Sequence, residues 1–370
     1  MKLNHIYKSI ACGVLLAMTA TSCDLDYNPV DTYSDVTEGV NKTDEKPIFN
    51  SVQDVETSMV TLHKKFRDQQ EHWYVDKLLI GDAHSDNAYA GTTGAEVVPY
   101  ETNSIEGSNS VLKRDWDRFL GDIAVANRII VGCDQLKALS ESERGKYQSQ
   151  AKIFRAMVMF DMVRLWGNFP VITTVGGDIT EDNVEEMYPT YFPPQNTAEE
   201  AYAQIEKDLT EAVENPNTPT NDTSDKSILT KSVARAMLAK VYAEKPLRDY
   251  AKVIKYADEL AADGFDLVED FSDLWAYDTE KKDCRVRNTK EAILEAHFPP
   301  GSGNWCTWMF GRNLSNWDES FTWAKWITPS RDLIRLYEEQ GDTKRYNESV
   351  VWYDCGWSNY YPADHYAFMY

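Results

Sequence analysis

From Ser51 to about Asp273 apolar side chains recur every three or four positions, and the runs are interrupted by Pro, Gly and Asn. That spacing gathers apolar residues on one face of a helix, whereas a half-buried strand would need alternation at every second position. The chain is therefore expected to be mostly α. Ser51, with Asp54 three residues on, approximates a capping box and opens a helix whose Val55, Met59, Leu62 and Phe66 share a face. A second helix is expected from about Val111, with Trp116, Phe119, Ile123, Ala126 and Ile130 inward. A third starts near Ser140 or Ser142, carries Tyr147, Ala151, Phe154, Val158, Met162 and Leu165, and stops at Gly167 and Pro170. These three suit antiparallel packing. Phe154, Met157, Phe160 and Met162 read as core, and Arg155 and Arg164 on the same helix as partners in internal salt bridges.

Further along, Thr197 is placed to cap a helix running to about Val213, and an Asn/Pro/Thr/Asp-rich loop follows over 215–225. Two helices then come in close succession. The first has Ala234, Met237, Leu238, Val241 and Tyr242 as its apolar stripe and ends at Pro246; the second uses Tyr250, Ile254, Ala257 and Leu260 and closes at Gly264. Ala236, Ala239 and Ala251 between the large residues permit close helix approach. The pair reads either as a tetratricopeptide-like unit or as a plain helix hairpin.

Beyond Tyr277 the texture changes to a loop-rich, aromatic-rich region. Ala292 to Phe298 reads as a short strand, and Pro329 to about Gln340 as a helix with Pro in its first turn and Gly341 after it. Seventeen aromatic residues fall within 301–370, a concentration of flat, amphipathic rings that asks for a role.

Charge and termini narrow the function. The 370 residues carry a formal net charge of −22, and no basic block offsets it, so attraction to a phosphate backbone is absent and nucleic acid is excluded as a partner. Residues 1–22 hold Lys2 and Lys8, no acid, and an apolar run from Ile10 to Ala20, a secretory signal pattern. The run is about half the ~20 residues a membrane-crossing helix needs. Small residues leading to Cys23 fit a bacterial lipoprotein signal, in which that thiol is acylated and anchors the protein to a membrane; ordinary cleavage near Ala20 is the rival. The acidic, Pro-punctuated start at Asp24 to Pro29 then reads as the beginning of a tether over 23–50. Four cysteines remain for the fold, Cys133, Cys284, Cys306 and Cys355, and they allow three pairings. The histidines lack ligand spacing, so zinc is not expected, and no cofactor; the acidic loops leave calcium open, although no Asp-x-Asp-x-Asp-Gly loop supports it.

Three stretches together resemble the SusD/RagB family of outer-membrane lipoproteins that serve glycan uptake in the Bacteroidetes. They are the Cys23 start with Asp24, Leu25, Asp26 and Pro29; the run from Ala151 that ends Leu165-Trp166-Gly167-Asn168-Phe169-Pro170; and Leu229, Thr230 and Lys231 through Ala239, Lys240, Val241 and Tyr242. Gly81 to Asn87 and Pro329 to Leu333 agree as well. The resemblance implies tetratricopeptide-like helical hairpins over 51–277 and an irregular region over 278–370. It also implies a TonB-dependent porin as partner, a surface location set by acidic residues after Cys23, and glycan binding without catalysis. Family members commonly continue well past the point where this chain stops at Tyr370, so the resemblance implies an incomplete C-terminal region with Trp352, Trp357, Tyr360 and Tyr366 exposed.

A sugar site needs aromatic platforms edged by amide, carboxylate or guanidinium groups, on loops that a rigid frame holds. Two stretches offer the mixture. In the first, Asp86, Asn87 and Tyr89 stand together; in the second, Trp305, Trp308, Trp317 and Trp323 are interleaved with Arg312, Asn313, Asn316 and Asp318. For each ring the competing role is core packing, and for Asp82, Asp86 and Asn87 it is local hydrogen bonding to backbone amides. A glycoside hydrolase would need two facing carboxylates, which nothing here singles out, and no nucleophile elbow, metalloprotease or phosphate-loop motif occurs. A scaffold that holds a protein partner without binding glycan is the remaining class.

Overall fold

The computed structural model describes residues 47–90, 95–177, 179, 181, 183–274, 277–278, 280, 283–298, 327–353 and 366–369. Among these the fold is mostly helical, and Ile48–Tyr370 form one compact unit. The main helices are α1 (Val52–Asp68), α2 (Ser110–Gln135), α3 (Glu141–Trp166), α4 (Ala198–Glu214), α5 (Lys231–Ala243) and α6 (Tyr250–Ala262). Each of the first neighbours in sequence is a neighbour in space: α1 packs on α2, α2 on α3, α3 on α4, α4 on α5 and α5 on α6. Short connections force this up-and-down order.

The helix starts follow their local chemistry. Ser51, Ser140 and Thr197 each close a full capping box, with Asp54, Glu143 and Glu200 reaching back to the cap backbone. Hydrogen bonds hold all three carboxyls below their usual range, Asp54 chiefly through the Asn50 amide, Glu143 through the Ser140 hydroxyl and Glu200 through the Thr197 amide. Helix α3 ends where Gly167 adopts φ 72°, a left-handed conformation that costs glycine little.

The large core lies between α1, α2, α3, α4 and α5. It contains Val55, Leu62, Phe119, Ile123, Phe154, Met159, Ile205 and Leu238, all with essentially no exposure. Arg155 on α3 crosses it, donating to both Asp208 carboxylate oxygens on α4 at 2.7 and 2.8 Å and to Asn127 Oδ1 on α2 at 2.7 Å. Asn127 in turn donates to the Ile172 and Thr174 carbonyls, tying down the chain after Pro170. Arg164 also pairs within the fold, with Glu244 at 3.1 Å, but at the surface, where its side chain is 54% exposed.

A second, smaller core sits beside the first: Val75, Leu79, Ala83, Ala88, Val97, Tyr100, Val111 and Ile327. It is reached through two π-helical turns, Glu71–Val75 and Leu79–Ala83, that flank the short helical turn Asp76–Leu78. Wide π turns shift the register of buried positions, and functional segments often contain them. The first turn is pinned to α2, because His72 Nε2 and Trp73 Nε1 lie 2.9 and 3.0 Å from the buried Asp122 carboxylate.

The strands are short antiparallel pairs. β1 (Ala88–Ala90) pairs with β4 (Ile327–Pro329), β2 (Tyr277–Asp278) with β3 (Asp283–Cys284), and β5 (Val350–Tyr353) with β6 (Tyr366–Met369). Trp352 and Tyr366 thus stand in paired strands, while Trp357 and Tyr360 lie outside the described residues. Helix α7 (Arg331–Gln340) follows β4, and α8 (Thr343–Ser349) follows α7.

Four expectations change. The inward face of α6 is not the Tyr250–Ile254–Ala257–Leu260 stripe: Tyr256 is buried and Val253 packs on the core, while Tyr250 and Ile254 are 59% and 61% exposed. Tyr256 stacks on Tyr242 of α5 at 6.0 Å, and that ring contact sets the rotation of α6. Ala292–Phe298 is no strand; the segment is an irregular strap, with Glu295 N donating to the Lys226 carbonyl and Ile293 and Leu294 resting on the core. Pro329 belongs to β4 rather than to a helix turn, and Ser330 is the cap of α7, accepting from Leu333 N. Finally, Cys133 is a buried free thiol, so it takes no part in a disulfide; burial pushes it up to about 12.

Candidate functional site

The turn between the second π turn and β1 is built from main-chain bonds. Ser85 donates from its amide and hydroxyl to the Asp82 carbonyl at 3.1 and 2.8 Å, and Asn87 N donates back to Ser85 Oγ at 3.1 Å. Asp82 is half-buried, and burial raises its carboxyl above the usual range. The two residues that follow Ser85 are clamped from far along the chain. Ser330 Oγ donates to the Asp86 carbonyl at 2.5 Å and Ser330 N to the Asn87 carbonyl at 2.9 Å.

The clamp is continuous with the β1–β4 ladder. Ala88 faces Pro329, Tyr89 faces Thr328 and Ala90 faces Ile327. Side chains alternate along a strand, so with Ala88 buried in the small core, Tyr89 must point away from it. Tyr89 is 39% exposed, and its hydroxyl accepts from Arg331 N at 3.4 Å. Ala90 N donates to Glu101 Oε2 at 2.8 Å, which closes the far end of the strand.

The result is an outward group of three candidates, Asp86, Asn87 and Tyr89, all exposed and all borne on one clamped turn. The Asn87 amide is served by Ser85 Oγ, and the Asp86 and Asn87 carbonyls accept from Ser330, so these local main-chain bonds do not come from the Asp86 and Asn87 side chains, which the sequence offered for that task. The other candidates, Trp305, Trp308, Trp317 and Trp323, lie outside the described residues, as do the lipidation candidate Cys23 and the polar group Arg312, Asn313, Asn316 and Asp318.

A second group of exposed rings was not anticipated. Tyr188, Tyr191 and Phe192 are 55%, 49% and 68% exposed, with Tyr188 and Phe192 centroids 5.1 Å apart and Tyr191 Oη donating to the Gly177 carbonyl. The signal for it was the proline-broken aromatic run from Tyr188 to Pro194, which cannot continue a helix long enough to bury its rings. Among the described residues no cluster of His, Cys, Asp and Glu is arranged to hold a metal ion, and no helix is long and apolar enough to cross a membrane.

Comparison with known proteins places this architecture. A family model described as "Starch-binding associating with outer membrane", SusD-like, matches residues 32–243. A SusD-like protein of Bacteroides ovatus is 25% identical over 309 residues, which cover 80% of this chain and 50% of that protein. The chain thus spans half the length of this curated relative. Among solved structures, a laminarin-binding SusD-like protein superposes with a TM-score of 0.62 at 18% identity, over 87% of this chain and 70% of that one. Another, solved with a xylogluco-oligosaccharide, gives 0.58 at 22% identity, over 85% and 61%. At such identities the structural likeness speaks for the fold, and the family model for the lineage: this chain belongs to the SusD-like family.

Proposed function

We propose that the protein is a surface-tethered lipoprotein that captures oligo- or polysaccharide on aromatic platforms and delivers it to a TonB-dependent outer-membrane porin, with no catalysis of its own. The observation that carries the reading is the clamped turn. Exposed Asp86 and Asn87 lie within three residues of the exposed Tyr89 on one segment held by β4 and Ser330, which offers a flat ring and hydrogen-bonding groups from the same stretch. Trp305, Trp308, Trp317 and Trp323 precede β4 in the chain and are proposed as further platforms of the same site. Residues 1–22 are proposed as the export signal, Cys23 as the acylated anchor, 23–50 as the tether, 51–277 as the helical domain and 278–370 as the loop-rich region. The exposed Tyr250 and Ile254 face of α6 offers apolar surface to a protein partner, which supports docking to a porin.

Laminari- and xylogluco-oligosaccharides are the first ligands to titrate, with Trp fluorescence and calorimetry as readouts. Tyr89→Ala is expected to weaken binding about tenfold, or ~1.4 kcal/mol, and Trp308→Ala or Trp317→Ala to act likewise with melting unchanged. Binding that survives these changes but is lost in Phe192→Ala would move the site to the second ring group. New reducing ends on long incubation would make the protein a hydrolase, and co-purification with a porin in the absence of any glycan affinity would make it a scaffold.

A further inference from the structure

Between the long helix α2 and the small core lies a group of charges that the proposed site does not use. Two carboxyls at its centre, Asp76 on the turn between the π segments and Asp115 on α2, are 0% and 1% exposed. The ionisable groups that face them come from three elements: Glu71 from the π turn, Tyr100 from the Val98–Glu101 turn, and Arg114 and Arg118 from α2. Arg114 donates to Asp76 Oδ2 and places its Nε 3.8 Å from Asp115 Oδ1, while Arg118 pairs with Glu71 at 2.9 Å.

Two guanidiniums therefore face three carboxyls. Arg118 and Glu71 pair with each other and are partly exposed, which leaves Arg114 alone to face the two buried carboxyls; with both ionised, one buried negative charge is uncompensated, at a cost of several kcal/mol. Asp76 Oδ1 and Asp115 Oδ1 both lack a donor, and Arg114 Nε, itself without an acceptor, stands 3.8 Å from Asp115 Oδ1, too far to supply one. Two carboxylates cannot serve one another, because both only accept. One proton between them cures both defects: it supplies the missing donor and brings the group to two positive and two negative charges.

We propose that Asp76 and Asp115 share one proton at neutral pH, and that this proton fastens α2 to the small core carrying the Asp86–Tyr89 turn. The titration runs the same way. Asp115 is pushed up to about 9, first by burial and then by the charge and hydrogen bond of Asp76, against the pull of Arg114 and Arg118. Tyr100 is raised by burial and then by the same two carboxyls.

The sign of the linkage follows. An unfolded Asp releases its proton near 3.8, and Asp115 in the fold keeps its proton until about 9. In that window the folded state binds more protons than the unfolded one, so this contribution to stability is complete below about 4, falls as pH rises, and is gone above about 9.

Isotope-assisted infrared spectroscopy of the full chain, titrated from pH 6 to pH 10, tests the idea together with melting curves of the wild type and Asp115→Asn. A carbonyl band of a protonated carboxyl is expected to persist at pH 7, to disappear near pH 9, and to be missing from Asp115→Asn. The melting temperature of Asp115→Asn should gain on that of the wild type as pH rises from 5 to 9. A wild-type spectrum without such a band at pH 7 overturns the proposal, and so does a melting difference that does not change with pH. If Asp115→Asn fails to fold, the wild-type band alone decides.

Discussion

Arg155 shows how one side chain can hold three helices. Its guanidinium is 4% exposed and meets Asp208, 1% exposed, in a two-pronged pair, with its remaining prong on Asn127. Planar guanidinium geometry makes that three-way contact possible, and Lys could not reproduce it. Arg155→Ala strands the Asp208 charge in the core and is expected to cost about 3–5 kcal/mol in urea unfolding. Replacing both ends, Arg155→Met with Asp208→Leu, should recover most of the loss, because no buried charge is then left unpaired. A single variant within experimental error of the wild type would show that the pair is not buried as described.

Helix faces and helix ends behave differently at the level of the element. The ends of α1, α3 and α4 are local events, decided by a cap residue and the acid three positions on. The face of α6 is decided by what stands opposite it, here Tyr242, and so Tyr256 turns in and Tyr250 turns out. The same dependence on a distant partner governs Gly132 on α2. The ring of Phe49, 2% exposed, lies so close that an added Cβ would come within 2.4 Å of it. Gly132→Ala must displace Phe49, and the expected loss is about 1–3 kcal/mol, read as a lower melting temperature. An unchanged melt would mean that Phe49 is not seated on α2.

Across the whole molecule the decisive contact joins residues 244 positions apart, Asp86 and Ser330. It closes the small core and the proposed site in one step, since Ser330 also caps α7. Ser330→Ala removes the hydroxyl half of the clamp and the cap, for about 1 kcal/mol each, and leaves the main-chain bond to Asn87 in place. The expected pattern is faster amide exchange in 88–90 and 327–333, with protection in α3 unchanged and glycan affinity reduced. Uniform loss of protection would instead mean that the two cores unfold as one unit.

The linear chain determined whatever depends on near neighbours: a mostly helical body, caps at Ser51 and Thr197, a helix start at Ser140 or Ser142, the stop at Gly167, and the SusD-like motif around Leu165 to Pro170. Asp86, Asn87 and Tyr89 were legible as a mixture of the right chemical types, because composition alone reveals that. Only the tertiary structure decided that Ser330 clamps them, that Tyr250 faces outward, that Ala292–Phe298 runs as a strap, and that Arg114 faces both Asp76 and Asp115. The physical reason is range. Capping and periodicity act over three or four residues, whereas clamping, facing and proton sharing join groups tens to hundreds of positions apart, and one-dimensional spacing holds no record of them.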